Sequence, residues 1–345
     1  MPEVQFEPFD HPATWKATDF KSKDDFAIDL SARHIDALEA EIAAYKKASG
    51  DHAGLSPESF PLTTIQEDVR AWREEVVHGR GLLMLRGMPV DRMDVDDLRL
   101  LFLGLGTHIG RPVSQSANGE LVADVVNIGG KDRNERAYRS SRQLKLHTDR
   151  CDHIGMLCIR KAIKGGVSGY ASALAIHNEI LATRPDLLEP LYNGFHHHRF
   201  GEQPPGEPLV TPERIPTFSI TDGVPNVICI RGYIDLAVEE GHVTLSDLEK
   251  EALDTFEAVA DRDDIRLDLT IEPGEASFTN NCCVLHTRTA FEDHPEPAQR
   301  RHILRLWLRE DDRPAAPGVI VHKGQGIMPR EGKGTYYKPS EATAS

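Results

Sequence analysis

The chain has 345 residues, and its 40 Lys+Arg against 55 Asp+Glu leave a formal net charge of −15. A hydrophobic fraction of 39% with 28% charged residues is that of a folded globular protein and excludes disorder as the main state. The acidic balance argues against non-specific binding to nucleic acid or anionic membrane, and no run approaches the roughly 20 apolar residues that span a bilayer.

Residues 1–80 read as a mainly helical annex. The opening MPEVQFEPFDHPATW lacks the basic, apolar and small-residue parts of a signal peptide. Ile35, Leu38, Ile42 and Tyr45 recur at helical spacing, as do Ile65, Val69, Trp72, Val76 and Val77. GLLMLRGMPV (81–90) then reads as a buried strand closed by Gly87 and Pro89, followed by a short helix at 95–106. Beyond it, apolar runs alternate with turns at 121–128, 154–160, 226–234, 265–271, 276–286 and 302–308. Helices are predicted over 171–183 and over 246–262, the latter opened by a Ser246/Glu249 capping box. The polar segments 131–143 and 200–216 read as long loops, and 313–345 as a C-terminal extension. Many short strands with few helices predict a sandwich or jelly roll over 81–312, not repeating βαβ units, and no nucleotide-binding glycine motif is present. Five cysteines (Cys151, Cys158, Cys229, Cys282, Cys283) without a C-x-x-C pair form neither a disulfide framework nor a thiolate zinc site. They point to a reducing, cytoplasmic setting.

His147-Thr148-Asp149 precedes the apolar run IGMLCIR, and in extended chain His147 and Asp149 point to one side. His286 ends another apolar run. Two histidines and one carboxylate make the facial triad of a non-haem Fe(II) centre, which leaves positions open for a cosubstrate and O2. An isolated H-x-D is common, and this chain has 16 histidines. The strand RRHILRLWL adds weight, because Arg301 and Arg305 share one face and a buried guanidinium grips a carboxylate bidentately. Either arginine alone would read as a surface salt bridge.

Taken together, LHTD (146–149), GGVSGYAS (165–172), NNCCVLHTRTAFED (280–293) and RRHILRLWL (300–308) resemble the TauD/TfdA family of Fe(II)/2-oxoglutarate-dependent dioxygenases. The resemblance runs from about Gly81 to Arg309. It implies a double-stranded β-helix (jelly-roll) core and iron ligands His147, Asp149 and His286. Arg301 would bind the distal carboxylate of 2-oxoglutarate, with Arg300 as a rival, and Ser168 would support it where the family usually has Thr. Arg305 takes the place of a second arginine that in taurine dioxygenase meets the substrate's sulfonate. The family's reaction consumes O2, converts 2-oxoglutarate to succinate and CO2, and hydroxylates, desaturates or cyclises a small molecule. Asp149 fills the position that related halogenases leave to chloride, so halide transfer is not expected.

The segment 131–146 is expected to act as a lid, with Arg139, Arg142 and Lys145 facing an anionic substrate or simply solvated. His196-His197-His198 cannot all face one ion in extended chain, so a structural or surface role is expected. His153 reads as a residue that supports the ligands or packs, Cys282 and Cys283 as small buried groups open to oxidation, and His177 and Asn178 as interfacial or exposed. Asn281 is expected to brace the loop presenting His286. A zinc-type hydrolase or isomerase, and a cupin-like binding protein without turnover, are the alternatives, and neither needs Arg301. A monomer and a homo-oligomer are both compatible with the sequence.

Overall fold

Period-two alternation along the strand His302–Arg309 organises the molecule. A computed structural model describes residues 3–48, 54–128 and 137–330. Its strands in chain order are β1 (Ala27–Asp29), β2 (Leu82–Arg86), β3 (Arg111–Pro112), β4 (Val122–Val125), β5 (Leu144–His147), β6 (His153–Arg160), β7 (Lys164–Gly165) and β8 (Ser168–Ser172). They continue with β9 (Phe218–Thr221), β10 (Val224–Val227), β11 (Arg266–Leu269), β12 (Glu275–Asn280), β13 (Val284–Arg288), β14 (Phe291–Glu292) and β15 (His302–Arg309). The helices are α1 (Ala32–Ala48), α2 (Gln66–Val77), α3 (Val95–Thr107), α4 (Ala173–Thr183), α5 (Leu188–Asn193), α6 (Arg231–Glu239), α7 (Asp247–Ala260) and α8 (Pro317–Lys323).

The larger sheet runs β1-β2-β12-β6-β15-β3, with β4 also on β15, and the smaller runs β11-β8-β13-β5. On β15, Leu304, Leu306 and Leu308 point outward into a core shared with α1, α2 and α3, where Trp72, Phe102 and Phe278 are buried. Ile303 faces the other way, into the core under the smaller sheet, and Trp307 packs on the same side with Ile154. Arg301 and Arg305 share that inner face, so the strand that seals the helical layer also delivers charge to the interior. The jelly-roll core is present as expected.

Several elements differ from the sequence reading. The annex is not only helical, because β1 pairs in parallel with β2 and extends the larger sheet. The run 276–286 is two strands in different sheets: β12 pairs with β2 and β6, whereas β13 pairs with β5 and β8. The turn between them is built by side chains, with Asn280 Oδ1 accepting from Cys282 N–H at 3.0 Å, so no glycine or proline marks it. The run 226–234 ends as a strand at Val227 and turns into α6, where Arg231 pairs with Asp235 one turn on. The Ser246/Glu249 capping box opens α7 as predicted. At Gly165 the backbone has φ +74°, and a Cβ would sit 2.2 Å from the Ala290 carbonyl oxygen. Only glycine therefore lets β7 lie against β14 beside Arg301.

Candidate active site

His286 on β13 and His147 at the end of β5 are direct cross-strand partners, and their ring centroids lie 4.3 Å apart. Asp149 follows two residues after His147 on a loop pinned from two sides. Thr148 exchanges hydrogen bonds with Cys229 at 2.8 and 2.9 Å. Asn281 Oδ1 accepts from Asp149 N–H at 2.9 Å, and its Nδ2 donates to the carbonyls of Asp149 and Cys151 at 2.7 and 2.8 Å. Asn281 therefore braces the Asp149 loop and not, as expected, the one presenting His286.

One donor atom from each of His147, Asp149 and His286 lies within 4.8 Å of the others. His147 Nε2 is 4.0 Å from Asp149 Oδ1, and His286 Nε2 is 3.7 Å from Asp149 Oδ2. Bonds of roughly 2.1 Å at right angles place neighbouring donors about 3 Å apart, so a small contraction closes this set around a divalent ion. His147 Nδ1 lies 2.8 Å from the Lys145 carbonyl, which fixes the proton there and leaves Nε2 for a metal. The donor set fits Fe(II).

The carboxylate is braced from behind. Trp307 Nε1 donates to Asp149 Oδ2 at 2.9 Å, and Arg305 Nη1 lies 3.3 Å from the same oxygen. Burial alone would raise the Asp149 carboxyl, but Arg305, His286, His147 and the indole N–H outweigh it and hold the pKa at about 2. Burial, with His147 and Arg305 nearby, pushes His286 down to about 3, so it is neutral and able to ligate. Arg305 is itself oriented by Gln115, whose Oε1 accepts from Nε at 2.7 Å. Its Nη2 is buried without a hydrogen-bond partner among the described residues.

Two cavities meet at His147, Tyr138, Leu144 and Arg305. The inner cleft is lined by His286, Ser168, Arg288 and Arg301. Ser168 and Arg288 are register partners on β8 and β13. Arg301 Nη1 and Arg288 Nε are buried without hydrogen-bond partners among the described residues, and both guanidiniums lie over the Phe291 ring, at 5.1 and 4.7 Å. Burial lowers the pKa of both, and the neighbouring Arg301 helps bring Arg288 down to about 9. Arg300 is outside the cleft and only partly buried, with Nε 3.4 Å from the His294 carbonyl. Sequence reasoning assigned nothing to Arg288 or Trp307. The available signal was spacing, since Arg288 is two residues beyond His286 and Trp307 two beyond Arg305.

The outer cavity, about 500 Å³, is walled by Tyr138, Phe200, Tyr233, Leu236 and Trp307. Of the expected lid, residues 131–136 lie outside the described residues. Arg142 and Lys145 line this cavity and Arg139 does not, while Lys145 is bound to Glu257 at 2.9 Å. His196, His197 and His198 go separate ways, as expected. His196 Nδ1 meets the Thr211 carbonyl at 2.8 Å, and His197 packs against His322. His198 forms a second histidine–carboxylate group with Glu240 and His242. There His198 Nδ1 accepts from Phe200 N–H at 2.9 Å, which leaves the proton on Nε2, 3.2 Å from Glu240, so the ring donates and does not ligate. His153 is fully buried, 3.5 Å from Glu310, and serves packing.

The family model for taurine catabolism dioxygenases, the TauD/TfdA family, matches residues 45–307. FR-33289 synthase from Streptomyces rubellomurinus is 31% identical over 278 residues, which cover 78% of this chain and 81% of that protein. The taurine hydroxylase-like protein SAT17 from Stachybotrys chartarum is 27% identical over 315 residues, or 86% and 79% of the two chains. In fold, the chain is similar to asparagine oxygenase bound to Fe(II), 3-hydroxyasparagine and succinate, with TM-score 0.65, 16% identity and coverage of 82% and 93%. It is also similar to the non-haem iron oxygenase OrfP bound to Fe and α-ketoglutaric acid, with TM-score 0.60, 15% identity and coverage of 83% and 94%. The chain thus belongs to the TauD/TfdA family and is an Fe(II)/2-oxoglutarate-dependent oxygenase.

Proposed function

We propose that His147, Asp149 and His286 hold the iron and that Arg301, with Ser168 and Arg288, seats the distal carboxylate of 2-oxoglutarate in the inner cleft. The substrate is a small molecule with one anionic group, held in the outer cavity and hydroxylated there. One observation carries this reading: a single narrow cleft has metal donors at one end and, at the other, two buried guanidiniums that keep unpaired nitrogens. A carboxylate between those guanidiniums relieves two desolvated cations at once. A hydrolase or isomerase has no use for them.

When bound, iron with 2-oxoglutarate and O2 supplies the oxidising chemistry at a substrate C–H bond, and succinate and CO2 leave. The chain's residues supply the positioning. The Trp307 indole and Arg305 fix the rotation of Asp149, and the Lys145 carbonyl fixes the tautomer of His147. Phe291 keeps water from the flat faces of both cleft arginines. Arg288 Nη2 also donates to the carbonyls of Ser140 and Arg142, at 2.8 and 2.5 Å, and so ties the cosubstrate cleft to the segment that walls the outer cavity.

The outer cavity's cations favour an anionic group on the substrate. Lys145, Arg231 and Arg150 face Glu257, Asp235 and Glu202 at 2.9, 2.7 and 3.6 Å. Arg305 keeps an unpaired buried nitrogen beside Asp149, so one anion is anchored close to the reacting carbon. A relative named as a taurine hydroxylase-like protein supports hydroxylation. Five unbridged, buried cysteines support a cytoplasmic setting. The pairing of β1 with β2 supports reading 1–80 as part of the same domain as the core over 81–312.

The test is an anaerobic titration of the apoprotein with Fe(II) and 2-oxoglutarate, following the visible charge-transfer band of the chelate. Wild type should give the band, and Arg301→Ala should need about 100-fold more 2-oxoglutarate, as expected for loss of a buried charge-assisted pair. Folded, iron-loaded wild type without a band would overturn the assignment.

A further inference from the structure

Away from the cavities, the turn between β12 and β13 meets the end of α8 in a buried polar cluster. Lys323, the last residue of α8, is 1% exposed and Cys282 is 0% exposed. Lys323 Nζ lies 2.7 Å from Asp152 Oδ1 and 2.9 Å from Cys282 Sγ. Sulfur is large, and the second separation is shorter than an ordinary N–H···S hydrogen bond. The amine has little freedom to swing away. Asp152 also accepts from Glu310 N–H at 2.9 Å and faces Arg309 at 3.3 Å, so the carboxylate that grips Lys323 is itself held. Cys282 Sγ is fixed from the same side, 3.5 Å from Asp152 Oδ1. None of these groups has a part in binding iron, cosubstrate or substrate.

We propose that Cys282 and Lys323 form a reversible covalent cross-link through one bridging oxygen, N–O–S, with O2 as the oxidant. The extra proton of the Lys323 ammonium leaves with the product water as hydronium, because Asp152, held ionised by Lys323 and Arg309, does not take it up. Beyond that proton, one thiol, one amine and one O2 give one S–O–N bridge and one water. The S–H bond, one N–H bond and the O–O bond break, and S–O, O–N and two O–H bonds form. O2 takes up four electrons, two from sulfur and two from nitrogen. A thiol reductant returns four electrons and restores thiol, amine and water. The bridging oxygen holds nitrogen and sulfur near the separation already present, whereas a direct S–N bond would draw them together by more than an ångström. O2 is small and apolar, and the protein already takes it up as a cosubstrate.

The link has a route to the metal centre. Asn281, the residue before Cys282, holds Asp149 by two hydrogen bonds and Cys151 by a third, and the His322 carbonyl, beside Lys323, accepts from Arg150 Nε at 2.9 Å. Oxidation would fasten α8 to the β12–β13 turn, whose Asn281 braces the Asp149 loop.

The experiment uses the full chain, reduced with dithiothreitol, exchanged into buffer and divided into anaerobic and air-exposed arms. The air-exposed arm should gain about 14 Da, unlike sulfenic or sulfinic acid at about 16 or 32 Da or a direct S–N bond, which loses about 2 Da. Tryptic digestion without reductant should join the peptide carrying Cys282 to one carrying Lys323, with cleavage after Lys323 lost and fragment ions placing the link on Cys282, not Cys283. Dithiothreitol should reverse the mass gain. Cys282→Ala leaves the Lys323–Asp152 pair in place and should never show it. An unchanged mass in air, or oxygen on Cys282 without a link to Lys323, overturns the proposal.

Discussion

The inner cleft and the outer cavity share His147 and Arg305 but are built from different material. The cleft takes its functional side chains from β5, β8, β13, β15 and the residue before β15. His147, Ser168, His286, Arg288 and Arg305 each have a ladder partner, while Arg301 is held by its backbone N–H on Asp293. The cavity takes most of its wall from the segment before Asp149, from Phe200 and from α6. The cleft keeps unpaired buried nitrogen on Arg288 and Arg301, whereas Lys145 and Arg231 in the cavity are bound to neighbouring carboxylates. On the proposed assignment, strand-borne groups are set for one fixed cosubstrate. Loop- and helix-borne groups are set for whichever substrate the chain has come to accept.

The sharpest way to break this contrast is at the metal end of the cleft. Asp149→Ala should lower Fe(II) affinity at least about 100-fold and abolish succinate formation, because two neutral histidines remain. It also strands Arg305 as a buried cation without its carboxylate, at a cost of about 3 kcal/mol in stability. Anaerobic Fe(II) titration and thermal unfolding read the two effects separately. A smaller effect is expected at Arg288, where the two regions are joined. Arg288→Ala should raise the 2-oxoglutarate requirement of the chelate band about 10-fold. It should also speed backbone hydrogen exchange over 138–142, whose carbonyls it holds. Arg288→Lys should recover part of the first effect and little of the second, because an ammonium cannot span two carbonyls and a carboxylate as a planar fork does. Unchanged exchange in both variants would separate the cleft from the cavity wall.

The cleft is also the more legible region. His147 and Asp149 stand two apart, and Arg301 and Arg305 four apart, in runs that read as extended, so period two alone brings each pair to a common side. It does so although Asp149 sits on the loop after β5 and Arg301 just before β15. The run 276–286 reads as one strand because nothing in its composition announces a turn. Asn280 and Asn281 make it with their side chains, and their partners at Val77, Asp149 and Cys151 are remote in sequence. Arg288 stands in the same H-x-R triplet as His286, yet its role depends on carbonyls of a segment that carries no periodic signal. The helix α6 is hidden in an apolar run that reads as a strand until Arg231 and Asp235 are seen to pair. What is local and periodic can be read, and what depends on a distant partner cannot.

The smallest effect on cosubstrate chemistry is expected in the cavity wall, and it tests the contrast from the other side. Phe200 has a left-handed backbone, with φ +55°, and stacks on Tyr233 at 6.1 Å with rings 19° from parallel. The backbone N–H of Phe200 donates to His198, and that of His198 donates to the Tyr233 carbonyl, so the loop is tied to α6 by more than the ring pair. Tyr233→Ala should therefore leave the fold intact at a cost of about 1 kcal/mol, the worth of one aromatic pair. Its 2-oxoglutarate requirement should stay within about 2-fold of wild type, because Tyr233 lines the outer cavity and not the inner cleft. Succinate released without oxidised substrate should rise, since a widened cavity holds the target carbon less firmly. A change of about 10-fold or more in the chelate titration would instead mean that cavity and cleft act as one structure, with the wall of the first setting the geometry of the second.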